Sequence, residues 1–311
     1  KARLICGDVG FAPYELPGSA ALGERIAGVF AEGHDTVVLE NHGVVCGGAS
    51  LFEAFQRFET LDFCARLTIE ARCIGTPHTL SDEQLGFIKG RSHLVPEFDP
   101  GPPTSREREL RTEMARLIRR AYDHTLFTST EGTFSCRLAA DAFLITPYGV
   151  DRKQIRREDI VLVRDGMRER GKVPSRSALL HREIYARHPT VEAVLIAHPP
   201  SVMAFGVAHE PFNTRTIPES YVMLREIPLL EYGAQFNDRE RVASMIGPAT
   251  PVVIVENDCV IVAGGSLLEA FDRLEVAEFS ARSVISAGAI GPVTSIDDER
   301  AKELDRAFGI E

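Results

Sequence analysis

Several short stretches of this sequence carry side chains suited to chemistry. Asn41-His42-Gly43 places an imidazole directly after the apolar run 36–40, where a histidine either hydrogen-bonds within its own fold or ligates a metal. Ser175-Arg176-Ser177 sets a guanidinium between two hydroxyls. Such a triplet can grip an anion or stand as a solvated charge, and the residues alone leave both readings open. His198 precedes Pro199-Pro200 at the end of a second apolar run, 191–197. Asp258-Cys259 puts a carboxylate beside a thiol; a thiolate could serve a metal, although cysteines are more often buried and inert. His181 shares a helix face with Ile184 and Tyr185 and reads as a core histidine rather than a catalytic one.

The elements that must position these groups follow from the pattern around them. Strands are expected at 142–146, 160–163 and 191–197, with a turn at Pro147-Tyr148-Gly149, a helix over about 178–187 and another after Pro200. Alternating strands and helices around one sheet make an α/β sandwich. Pro17-Gly18-Ser19 marks a turn before a helix. Between Pro96 and Pro103 stand four prolines and a glycine, so that stretch reads as a linker that neither helix nor sheet crosses. Thr104 and Glu107 then form a capping box ahead of an amphipathic helix whose alternating Arg and Glu predict a salt-bridged surface.

The chain also resembles itself. Residues 37–75 align without a gap on 253–291, with 19 identities across 39 positions. Each copy predicts an apolar strand, a hairpin-like return and a long helix capped by Ser50 and Glu53 or by Ser266 and Glu269. The expected division is 1–95 as the back half of a first unit, 96–104 as linker and 105–311 as a whole unit. Phe52, Phe55, Phe58 and Leu61 give the first half an apolar face that must pack on an upstream segment or on another subunit.

Composition narrows the function. With 35 Lys and Arg against 45 Asp and Glu, the net charge of −10 argues against nucleic-acid binding, and no apolar run approaches the ~20 residues that span a bilayer. Six scattered cysteines without a C-x-x-C pair are expected to be reduced thiols of a cytoplasmic protein. The chain opens on Lys1 rather than Met, which points to processing or to a sequence that begins part-way.

Taken in order, Glu131-Gly-Thr-Phe-Ser-Cys-Arg137, Phe143-Leu-Ile-Thr-Pro-Tyr-Gly-Val-Asp151, Leu180-His-Arg-Glu-Ile-Tyr185, Val191-Glu-Ala-Val-Leu-Ile-Ala-His-Pro-Pro200 and Glu40-Asn-His-Gly-Val-Val45 resemble the class II aldolase/adducin family. The resemblance implies a three-layer sandwich with a central, mainly antiparallel sheet flanked by helices, here in one and a half copies. It also implies zinc or another divalent metal held by three histidines, an acid/base glutamate, a phosphate grip of hydroxyls and glycine, a small carbohydrate-like substrate, and a homo-oligomer. Such a metal polarises a carbonyl while a carboxylate moves the proton.

Carried over position by position, the pattern is broken in the whole unit. His198 keeps one ligand position, Ile196 occupies another and Asp258 the third. Ser177 stands where the acid/base glutamate belongs, so no catalytic residue is visible there. The phosphate grip falls on Thr133, Thr146, Gly149 and Ser175, with Arg176 as a further anion contact and Tyr148 in place of a serine. In the first copy the turn is intact and His42 is the expected ligand, its partners lying before Lys1. Two functions are therefore expected: a metal-dependent lyase through the first unit beside an inactive second unit, or an adducin-like assembly or binding module. The reaction stays open among aldol cleavage, epimerisation and decarboxylation.

Overall fold

The computed structural model describes residues 2–89 and 95–309, which form two compact units, Lys1–Arg66 and Leu67–Glu311. The smaller unit contains α1 (Ala2–Ile5), β1 (Val9–Ala12), α2 (Ala20–Ala31), β2 (Thr36–Leu39), β3 (Gly43–Cys46) and most of α3 (Leu51–Ile74), the division falling inside that helix. Its sheet has the order β1-β2-β3, with β1 parallel to β2 and β2 antiparallel to β3. Ser19 starts α2 as the turn signal predicted, its hydroxyl accepting from the Leu22 amide at 3.2 Å. Ala12, Val37 and Leu39 form a small core beneath Ile26 and Phe30 of α2.

The larger unit begins with the end of α3 and continues through α4 (Asp82–Lys89), β4 (Glu97–Phe98), α5 (Ser105–Asp123), β5 (Thr133–Ala139), β6 (Ala142–Ile145), β7 (Val161–Arg164), β8 (Met167–Glu169), α6 (Ala178–Arg187) and β9 (Ala193–Ala197). It closes with α7 (Pro200–Ala208), α8 (Pro218–Leu224), β10 (Leu229–Leu230), α9 (Ala234–Asn237), α10 (Arg239–Met245), β11 (Val252–Val255), β12 (Cys259–Gly264), α11 (Leu267–Gly288) and α12 (Asp298–Phe308). One nine-stranded sheet runs β10-β11-β12-β9-β5-β6-β7-β8-β4, antiparallel except where β10 and β4 join at its two edges.

Alternation along the strands makes the three layers. In β9, Ala193, Leu195 and Ala197 face a core shared with α5, α7 and α11, while Val194 and Ile196 face the opposite core shared with α6 and α10. Phe134 of β5 is fully buried and meets the Phe127 and Phe271 rings edge-on, at 5.7 and 6.2 Å between centroids. This is the mainly antiparallel, helix-flanked α/β sandwich expected from the sequence.

Two local expectations change. Thr104 caps α5 as predicted, accepting from the Glu107 amide at 3.1 Å, but the Glu107 carboxylate turns inward instead of back to the cap. It is buried and bound to Arg111, whose guanidinium also reaches Glu169 at 2.8 Å. This face of α5 is thus an internal ion-paired network, where breaking a pair costs more than on a surface. The proline-rich stretch does carry strand: Glu97-Phe98 pairs with Arg168-Glu169 at the sheet edge, a place where proline is tolerated.

The strand–turn–strand–helix corner occurs in both units with matching detail. Asn41 and Asn257 both adopt left-handed backbone, at φ 53° and 52°. Arg57 ties the Gly47 carbonyl to Glu53, and Arg273 ties the Ala263 carbonyl to Glu269. Glu53 and Glu269 each accept an amide at the start of their helix, from Ala49 and Gly265. A Cβ on Gly48 or on Gly264 would press on the helix backbone, at 2.8 and 2.7 Å, so both corners need glycine for close approach.

Candidate functional site

Three neighbouring segments build a hydroxyl-lined corner in the larger unit. Thr133 starts β5, the turn 146–149 follows β6, and Ser175-Arg176-Ser177 leads into α6. The Thr133 hydroxyl meets the Ser175 hydroxyl at 2.6 Å, and Ser175 meets Ser177 at 3.1 Å. The Ser175 amide donates to the Thr146 carbonyl at 3.0 Å, which locks the serine segment to the turn. Gly149, at φ +69°, supplies the left-handed turn that a side chain resists. The Arg176 guanidinium lies over the Tyr148 ring at 5.5 Å, leaving a cation at the mouth of the corner.

Thr146 differs from its neighbours. Fully buried, its hydroxyl donates to the Phe134 carbonyl at 3.0 Å and accepts the Phe134 amide at 2.8 Å, so it fixes the β5–β6 junction rather than facing a ligand. Arg152, which sequence reasoning did not single out, does comparable work from beneath. Its buried guanidinium donates to the backbone carbonyls of Thr130, Glu131, Gly132 and Val150, and so shapes the loop that delivers Thr133. Burial pulls its pKa down to about 10, so it remains cationic at neutral pH. Three guanidinium nitrogens aimed at main-chain oxygens leave no sequence motif by which to recognise the role.

The positions that the family resemblance predicted as metal ligands are placed as follows. Ile196 lies in the middle of the sheet between Thr133 of β5 and Ile261 of β12, with its side chain in the core. His198 is buried just past β9, and the register that pairs Ala197 with Val260 carries it opposite the Asp258–Cys259 turn. The Asp258 carboxylate accepts a hydrogen bond from the buried Gln235 amide of α9. His42 belongs to the smaller unit and is exposed in its turn, its amide donating to the Leu39 carbonyl at 3.2 Å. No group of three His, Cys, Asp or Glu side chains among the described residues is arranged to hold a metal ion. An alkyl side chain, a carboxylate engaged by an amide and one histidine do not fit a three-ligand zinc centre.

Beside the Asp258 turn sits a polar cluster invisible from sequence. His78 stacks on His209 at 4.1 Å and 6°, His209 Nε2 donates to the Asn257 side-chain oxygen at 2.8 Å, and the Asn257 side-chain NH2 donates to the His78 carbonyl at 2.7 Å. These contacts pin the turn from outside. His181 is buried as expected of a core residue: its Nδ1 lies 2.6 Å from the Ser135 hydroxyl, which also contacts the Tyr185 hydroxyl at 2.6 Å. Burial holds the imidazole down at about 3, so it is neutral at physiological pH.

The family profile described as the class II aldolase and adducin N-terminal domain matches residues 1–69 and 112–285, more than half of the chain. The chain belongs to this family. Among class II aldolase relatives, methylthioribulose-1-phosphate dehydratase of Acidiphilium cryptum is 32% identical over 190 residues, covering 56% of this chain and 87% of that protein. Human beta-adducin is 21% identical over 209 residues, covering 62% of this chain and 28% of the adducin. The solved structure of YgbL from Klebsiella pneumoniae superposes with a TM-score of 0.57 at 25% identity, over 64% of this chain and 98% of YgbL. No helix among the described residues is long and apolar enough to cross a membrane.

Proposed function

We propose that the larger unit is a catalytically silent class II aldolase fold, and that divalent-metal lyase chemistry on a small phosphorylated sugar or hydroxy-carbonyl compound belongs to a unit completed around His42. Ile196 carries the reading. It puts an alkyl side chain at the ligand position two residues before His198, while Asp258 spends its carboxylate on Gln235. The missing acid/base carboxylate agrees, since Ser177 hydrogen-bonds to Ser175 and has no proton to exchange near neutral pH. What survives is the hydroxyl corner with Arg176 at its mouth, chemistry suited to holding an anion without transforming it. The sugar phosphate in the dehydratase relative's name supports that class of ligand. In this unit the role is then binding or assembly, the reading that the adducin likeness also supports.

A gain-of-binding experiment tests it. In a His42→Ala background that silences the other unit, Ile196→His with Asp258→His and Cys259→Gly should raise zinc affinity at least about a hundredfold by isothermal titration, because it restores three ligands and frees the turn. An unchanged affinity in a variant that keeps its thermal unfolding profile would count against the assignment of these positions.

A further inference from the structure

The two matching corners differ in what covers them. In the larger unit Leu267, Phe271 and Leu274 of α11 are 4%, 0% and 0% exposed beneath β5, β9 and α5; their counterparts Leu51, Phe55 and Phe58 of α3 are 89%, 43% and 48% exposed. The sheet edges differ in the same way. β12 pairs with β9, whereas among the described residues β3 is the last strand of its sheet. Gly47 donates to the Asp35 carbonyl across β2, as Ala263 donates to Pro251 in the larger unit. By alternation, the Val44 and Cys46 amides face the open edge.

We infer that the smaller unit is an acceptor for an aldolase-type front half from another polypeptide segment: a strand that pairs antiparallel to β3, backed by apolar side chains that cover Leu51, Phe55 and Phe58. The larger unit specifies the occupant. There Val260 and Val262, the counterparts of Val44 and Cys46, lie opposite Ala197 and Leu195 of β9. The incoming strand therefore carries a small residue opposite Val44 and a larger aliphatic one opposite Cys46. The β9 strand of the same chain cannot serve, because β12 and β5 already occupy both of its edges. A second copy could lend its front half only by exposing its own Phe271 and Leu274. Strand addition gives affinity through main-chain bonds and specificity through alternate side chains. The inference does not depend on the chemistry at His42.

The test uses the 311-residue chain and a synthetic peptide with the sequence of residues 191–199, read by amide hydrogen exchange. At saturating peptide, exchange at Val44 and Cys46 should slow at least about tenfold, with no slowing by a scrambled peptide. Val44→Pro should abolish the protection, since that N–H is not used by β2; retained protection of Val37 and Leu39 would verify that the variant's sheet is intact. If that protection is lost, the comparison of native-order with scrambled peptide decides alone. No slowing, equal slowing by the scrambled peptide, or equal slowing in a folded Val44→Pro variant would overturn the inference. So would concentration-dependent protection of Val44 and Cys46 without peptide, which would make a second copy the occupant.

Discussion

Replacing Phe271 by alanine should destabilise the larger unit by about 4 kcal/mol, whereas replacing Phe55, the equivalent residue of the repeat, should cost less than about 1 kcal/mol. The local sequence around the two rings is nearly the same, so the difference measures covering and not chemistry. Phe271 is fully buried, edge-on to Phe134 at 6.2 Å, with the Arg120 guanidinium over its face at 4.9 Å. Removing the ring forfeits its transfer from water and leaves a cavity in a sheet that cannot collapse around it. Phe55 already faces solvent over much of its surface. Calorimetry should show the larger unit's transition lowered by about 10 °C in Phe271→Ala and little moved in Phe55→Ala. Equal losses would mean that α3 is as well covered as α11, contrary to the unequal exposure of the two rings.

Acid should weaken the larger unit through His181. Its folded pKa is lowered to about 3 by burial, from an ordinary value of 6.5, so the unfolded chain binds the proton first. The neutral imidazole's contribution is complete above pH 6.5 and is lost as pH falls from there toward 3, a loss of up to about 5 kcal/mol. That is a large part of the stability of an ordinary domain. His181→Asn keeps a polar atom near the Ser135 hydroxyl but has no proton to take up in this range. The variant starts less stable at pH 7, and its stability between about pH 6.5 and 4 should fall less steeply in urea titrations than that of the native chain. Parallel slopes would assign the acid sensitivity to other groups.

Much of the architecture was legible because local rules and the fold agree. Strand and helix positions followed from alternation and caps, and Ser19, Thr104, Ser50 and Ser266 cap where the sequence placed them. What escaped depended on long-range burial. Glu107 fits a capping box by spacing, yet Arg111 and Glu169 draw its side chain inward. Glu97-Phe98 is too short and too flanked by proline to read as strand until β8 offers an edge. At the site, the proposed loss of a ligand was readable from Ile196 alone, because an alkyl side chain has no atom that can ligate, whereas the Asp258 carboxylate could. The engagement of Asp258 by Gln235, the hold of Arg152 on the Thr133 loop and the inward use of the Thr146 hydroxyl were not, since each joins segments distant in sequence or bonds to main chain.

The function proposed above rests on the larger unit keeping the class II aldolase fold without its metal centre. Zinc bound per chain, measured by plasma mass spectrometry after dialysis against micromolar zinc, tests this directly in the native protein and in His198→Ala. The zinc content should be unchanged in His198→Ala, any bound zinc being lost instead in His42→Ala. Stoichiometric zinc that disappears on His198→Ala, in a variant that remains folded, would contradict it.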